Sequence, residues 1–169
     1  MNLQLYKEKL ISSEIFKDFI KENPEAYLFS VFIILDKEEN NNKIHFNYFL
    51  KNENKIIGFQ IGSEIQKVPI EKVDEKIPEE VSNDLIDRVN LSNVEQLILR
   101  EMQKNGIEKK VRKIILTLQK SGNKNLLFGN VFIFPTSMLN ITINIDENKI
   151  IFFEKKSLSD IVSVLRKNN

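Results

Sequence analysis

The chain has 169 residues, with 25 Lys and Arg against 24 Asp and Glu, one His, and no Cys or Trp. This length fits one domain or two small repeated halves, and the 41% of hydrophobic residues can form a buried core. A net charge of +1 excludes a strong overall field for nucleic acid, and the lack of cysteine excludes disulfides and thiolate metal sites.

The amino-terminal residues show no continuous apolar stretch behind a basic start, so the sequence predicts no secretory signal. No run of about 18 apolar residues occurs, and we therefore expect no helix that spans a membrane. The longest apolar stretch, Val31 to Leu35, has the length of a strand. We therefore expect a cytoplasmic protein.

The first part of the chain, 1–62, is predicted to be a helix followed by a three-stranded antiparallel meander. The helix runs from about Glu14 to Glu22, with Ser12 or Ser13 as its cap. The strand from Tyr27 to Leu35 is apolar on both faces, which is typical of a strand that is covered on both sides or lies in mid-sheet. Two further strands follow, and the last ends at Gly62.

Residues 63–91 are predicted to be an acidic connector that docks on the rest of the protein. Pro78 opens a short helix in this stretch. The apolar residues on one face of this helix are Val81, Leu85, Ile86 and Val89. The carboxylates of the connector are either ligands for a hard cation or a solvated face near a helix amino terminus.

The second part, 92–169, is predicted to be a helix, a meander and a last helix. Ser92 to Glu95 match a capping box, and Asn105-Gly106 ends the helix. The four predicted strands are 111–119, 126–134, 139–145 and 149–153. The last helix is predicted to start at Ser157, with an apolar stripe formed by Leu158, Ile161, Val162 and Leu165.

These elements predict an α+β protein built from antiparallel β-meanders, with helices packed on one face. An offset of 81 residues relates Ile33 to Ile114, and an offset of 82 relates Asn23 to Asn105. One interpretation is an internal repeat of two similar αβββ halves. The other is that the over-use of Asn, Ile and Lys produces such matches by chance.

Residues 92–157 resemble a PepSY-type module. The resemblance lies in the run Gly129 to Phe134 and in the hairpin Leu139 to Ile150, where Asp146 precedes the turn. Asn148 stands where that family usually has Gly. The resemblance implies a helix lying across a curved antiparallel sheet, and a role in binding or inhibition. Many members of the family are exported, whereas this sequence predicts no signal.

The densest basic cluster lies where the helix that begins at Ser92 ends and the next strand begins, and its members are Lys104, Lys109, Lys110, Arg112 and Lys113. It is a candidate patch for an anion, a partner or RNA. The alternatives are stabilisation of a helix carboxyl terminus by Lys104 and protection of an exposed strand edge by lysines. The aromatic residues that RNA binding usually needs fall mostly within the predicted strands.

Catalysis is not predicted. His45 lies on the half-exposed face of a predicted strand, and no Gly-x-Ser-x-Gly motif occurs. The five glycines form no phosphate-binding pattern, and we expect no cofactor and no metal. We therefore predict a non-enzymatic binding module that acts through an exposed strand edge or a groove between helix and sheet, with a protein partner or with itself. The alternative is an accessory RNA-binding protein that uses the basic cluster at 104–113.

Overall fold

The computed structural model describes residues 2–70, 77–135 and 137–157. In these ranges the chain forms four helices and eight strands, which confirms the α+β class. The helices are α1 Leu3–Ser12, α2 Glu14–Glu22, α3 Asn83–Arg88 and α4 Leu91–Lys104. The strands are β1 Tyr27–Asp36, β2 Lys43–Leu50, β3 Lys55–Ile61, β4 Ile65–Ile70, β5 Val111–Ser121, β6 Lys124–Ile133, β7 Ser137–Asn144 and β8 Lys149–Ser157.

All eight strands belong to one open antiparallel sheet, in the order β4-β3-β2-β1-β5-β6-β7-β8. Two four-stranded meanders therefore meet where β1 pairs with β5. Val31 lies opposite Leu118, Ile33 opposite Leu116 and Leu35 opposite Ile114. The expectation that the long apolar strand lies in mid-sheet is confirmed.

All four helices pack on one face of the sheet, as predicted. Phe16 and Phe19 of α2 meet the rings of Tyr48 and Phe59, with centroid distances between 5.0 and 5.8 Å. Helix α4 buries three residues of its apolar stripe, Val94, Ile98 and Met102, in the same core cluster. The predicted face of the short helix is likewise buried. Among the described residues, no helix is both long enough and apolar enough to cross a bilayer.

The helix starts differ in part from the predictions. Helix α1 was not predicted, and it is capped by Asn2, whose Oδ1 accepts a hydrogen bond from the Gln4 N–H. The proposed capping box at Ser92 is wrong, because Asn90 caps α4 and its Oδ1 accepts from the N–H groups of Ser92 and Asn93. Helix α3 begins at Asn83, beyond Pro78, with Ser82 as its cap. Ser13 caps α2 as predicted.

Two strands also differ from the predictions, because β4 was not predicted and β8 is longer than predicted. Strand β4 lies at 65–70, inside the stretch 63–91 that was predicted to be a connector. Strand β8 continues to Ser157, where the last helix was predicted to begin. The remainder of that predicted helix, 158–169, lies outside the described residues.

The two halves share an element order of two helices followed by four strands in the described ranges. Asn23 ends α2 and Asn105 ends α4, and Gly106 then takes the left-handed conformation with a φ of 66°. Ile33 and Ile114 lie on the helix-covered face of the adjacent strands β1 and β5. Each half thus contains one helix and one strand more than the αβββ unit that the sequence predicted.

Gly129 is the tightest point of the second half. It lies on the helix-covered face of β6 between Leu116 and Ile141, which are its register partners on β5 and β7. A Cβ at this position would come within 2.7 Å of the Leu116 side chain and 2.8 Å of the Ile141 side chain. The two neighbours therefore use the space that a side chain would occupy.

We expect Gly129→Ala to lower the free energy of unfolding by about 1–3 kcal/mol, because the core must shift to admit the methyl group. Gly62→Ala is the matched control, since its nearest neighbour would be a backbone oxygen at 3.6 Å. That change should alter stability by about 0.5 kcal/mol or less. Urea denaturation of the two variants measures both effects. Equal stability of the two variants would contradict the close packing at Gly129.

Candidate functional site

The sheet face opposite the helices carries a row of alternating phenylalanine and threonine side chains. The row crosses five strands in register, and its members are Phe32, Thr117, Phe128, Thr142 and Phe152. Neighbouring strands lie about 4.8 Å apart, so the three rings recur roughly every 10 Å. We call these five residues the Phe row, and the sheet face that carries them the open face.

In the described ranges, no helix covers the open face along this row. Phe128 is 40% exposed and Phe152 is 49% exposed, whereas Phe32 is half-buried. None of the three belongs to the core cluster that the helices cover. Phe153, the next residue in sequence after Phe152, packs against the core instead. Large exposed rings on one face are typical of an interaction surface.

The next row of the open face is apolar at one end and amide-bearing in its centre. It runs Ile34, Ile115, Asn130, Asn140 and Glu154 across the same five strands. The buried Oδ1 of Asn140 has no hydrogen-bond donor among the described residues. A buried acceptor without a donor is uncommon in folded proteins.

Charged residues are concentrated at one end of the open face. The Arg112 guanidinium donates to both carboxylate oxygens of Glu38 at 2.8 to 3.0 Å. The Lys113 ammonium lies 3.0 Å from Asp36. A cleft of about 350 Å³ at this end is lined by Glu38, Arg112, Lys113, Ile115 and Phe132.

A β-bulge explains why two consecutive basic residues reach this cleft. The pairing of β5 with β6 skips from Val111 to Lys113, so Arg112 is an extra residue in the strand. A bulge of this kind redirects a side chain that would otherwise alternate to the other face. Arg112 and Lys113 therefore line the same cleft.

The Asp36 carboxylate is held by the turn that follows β1. The Asp36 Oδ1 accepts hydrogen bonds from the N–H groups of Glu38 and Glu39, both at 3.0 Å. The Glu39 N–H and the Lys113 side chain are the main causes that lower the pKa of Asp36 to about 2. The carboxyl group therefore stays ionised throughout the neutral range and fixes both the turn and Lys113.

The predicted basic cluster is largely neutralised in the structure. Lys104 pairs with Glu101 at the end of α4, while Arg112 and Lys113 pair with Glu38 and Asp36. Lys109 and Lys110 are exposed, and within the described ranges no ion pair involves them. Lys109 and Lys110 lie before β5, and Lys113 lies on β5, which pairs with β1 on one side and β6 on the other. The alternative that these lysines protect a sheet edge is therefore wrong.

The other candidate residues are dispersed. His45 lies on β2 against the ring of Phe32. Burial is the main cause that lowers the pKa of His45, and the positive charge of the nearby Lys43 lowers it further. In the acidic stretch, Glu79 accepts a hydrogen bond from the Gly122 N–H, and Asp87 pairs with Lys7. Glu71, Asp74 and Glu75 lie outside the described residues. Among the described residues, no group of three or more His, Cys, Asp or Glu is placed to hold a metal ion.

Comparisons with known proteins identify a fold and no family. No protein-family model matches the sequence, and no curated protein matches it. Among solved structures, the fold is similar to that of a putative lipoprotein from Clostridium difficile 630, with a TM-score of 0.56 and 11% identity. The alignment covers 85% of this chain and 91% of that chain. At this identity the likeness shows the fold alone, and the resemblance to PepSY-type modules stays a prediction.

We expect Asp36→Asn to destabilise the protein at neutral pH, because the amide cannot form the ion pair with Lys113. The folded state lowers the pKa of Asp36, so the contribution of its charge is present above about pH 4 and is lost as the pH falls towards 2. The difference in urea midpoint between wild type and variant should therefore shrink over that interval. A difference that is the same at neutral pH and near pH 2 would contradict this assignment.

Proposed function

We propose that this chain is a non-enzymatic binding module and that a protein partner docks on the open face of the sheet. The Phe row is the observation that carries the proposal. Its exposed rings are separated by threonines, and its five residues carry no charge. Aromatic residues with depleted charge are the compositional mark of the centre of a protein interface.

The polar residues around the Phe row fit the same role. The amides of Asn130 and Asn140 lie in the neighbouring row. Arg112, Glu38, Lys113 and Asp36 form a charged border at one end. An apolar centre with a polar border is the usual organisation of a stable protein interface.

The RNA-binding alternative receives less support from the structure. Three of the five basic residues at 104–113 already pair with carboxylates, which lowers the positive potential that phosphates would meet. The exposed rings of Phe128 and Phe152 lie on strands that carry none of these five residues. The ring of Phe132 lines the cleft with Arg112 and Lys113, but both of these cations already pair with carboxylates.

The cellular location stays a prediction. The cytoplasm is the location expected in the sequence analysis, whereas the structural relative is described as a putative lipoprotein. That description concerns a protein with 11% identity to this one. The proposed docking face is the same in either location, because it depends only on the sheet.

Photo-crosslinking tests the proposal. A benzophenone amino acid is placed at Phe128 on the open face and, as the matched control, at Leu99 on α4, because both side chains are 40% exposed. In cells that produce the protein naturally, we expect a discrete cross-linked protein product from position 128 and none of that mass from position 99. Thermal unfolding of both variants checks that the fold is retained.

Other outcomes would reject the proposal. They are the same product from both positions, no product from position 128, and a product that contains nucleic acid. A product from position 128 that contains only a second copy of the chain would also reject a distinct partner. If a product is found, adding Asn130→Arg should reduce its yield at least about tenfold, because the partner would have to bury an unpaired charge.

A further inference from the structure

The two outer strands of the described sheet differ in how they are protected. Strand β4 has six residues and contains Pro69, which lacks the N–H group that a further strand would need. Strand β8 has nine residues and no proline, and within the described ranges no strand pairs with its outer edge. Its Ile151 is 45% exposed and its Phe152 is 49% exposed. A long edge strand with exposed apolar residues is a site for pairing with another chain.

We propose that β8 pairs antiparallel with β8 of a second copy, around a two-fold axis that passes between Ile151 and Phe152. The two sheets then become one continuous sheet of sixteen strands. This inference concerns the edge of the sheet and does not depend on the partner proposed for the open face.

The faces of the strand support this register. Lys149 and Glu154 lie on the open face, opposite Asn144 and Asn140 of β7. Ile150 and Phe153 lie on the helix-covered face, opposite Ile143 and Ile141. A bulge after Ile150 produces this arrangement, because the pairing with β7 skips Ile151. Around the proposed axis, Lys149 of one copy lies opposite Glu154 of the other, and Ile150 lies opposite Phe153. The two residues of each pair lie on the same face of the sheet, as antiparallel pairing requires.

The charges of β8 are also complementary in this register. Two-fold symmetry produces the Lys149–Glu154 pair twice, once on each side of the axis. The Glu154 carboxylate already lies 3.1 Å from the Lys156 ammonium of its own strand. Lys149 of the second copy then places a second cation beside this carboxylate. Opposite charges placed directly across two strands are stabilising.

Three other symmetric registers are worse. An axis through Glu154 places two glutamates opposite each other, and an axis through Lys155 does the same with two lysines. Like charges in that position are destabilising. An axis through Phe153 places Glu154 opposite the Phe152 ring and loses the charge pair. The contact between two identical edges also closes on itself, so it ends at a dimer and forms no fibre.

Charge reversal in the full chain tests the register. Lys149→Glu and Glu154→Lys each place like charges opposite each other twice, and we expect each variant alone to dimerise about tenfold more weakly than wild type. A mixture of the two variants restores both opposite-charge pairs and should recover the wild-type dimer. Sedimentation velocity between about 1 and 200 µM protein measures these equilibria. Phe128→Ser is the control that should leave the dimer unchanged.

Disulfide cross-linking provides a second measurement, since the chain has no cysteine of its own. A mixture of Lys149→Cys and Glu154→Cys chains should form a disulfide-linked dimer on mild oxidation. Either chain alone should form at least about tenfold less, because like positions are about 17 Å apart in this register. A wild-type chain that is monomeric at every concentration would overturn the proposal. So would a dimer that ignores both the charge exchange and the cysteine pairing.

Discussion

The antiparallel ladder between β1 and β5 is the interaction on which the rest of the molecule depends. It joins two four-stranded meanders, and each meander alone would present an apolar strand at its edge. Seven residue pairs connect the strands, from Ser30 opposite Gln119 to Asp36 opposite Lys113. The ladder ends in an ion pair on the open face, beside the Glu38–Arg112 pair. The joint between the halves and the charged border of the candidate site are therefore built from the same two strands.

The difference between the helix-covered face and the open face follows from the joining of the two halves at β1 and β5. The helices of both halves bury one continuous apolar face, in which Phe59 of the first half and Leu116 of the second belong to the same cluster. The second face receives no such cover in the described ranges, yet β1, β5 and β6 supply it with Phe32, Ile115 and Phe128. A surface of this kind costs solubility when it is left in water. Under the proposed function, binding of a partner is the physical reason to retain this surface.

The sequence predicted what local patterns determine. The strands were found from apolar alternation, and the end of α4 from Asn105 and Gly106. Helix α1 was missed because it buries only Leu3 and Leu10, and β4 because Pro69 and its exposed side chains look like a connector. The Phe row was beyond sequence reasoning. Alternation shows that Phe128 and Leu127 face opposite ways, but only tertiary packing decides which of them the helices cover.

The strand order has a consequence for folding during translation. All strand pairings except that of β1 with β5 join neighbours in sequence, so they close short loops. The central ladder instead joins residues such as Phe32 and Thr117, which are far apart along the chain. During translation the first meander emerges before β5 has been synthesised. The edge of β1 that pairs with β5 therefore stays unpaired until β5 leaves the ribosome. That interval is when a nascent molecule is most exposed to pairing with the wrong neighbour.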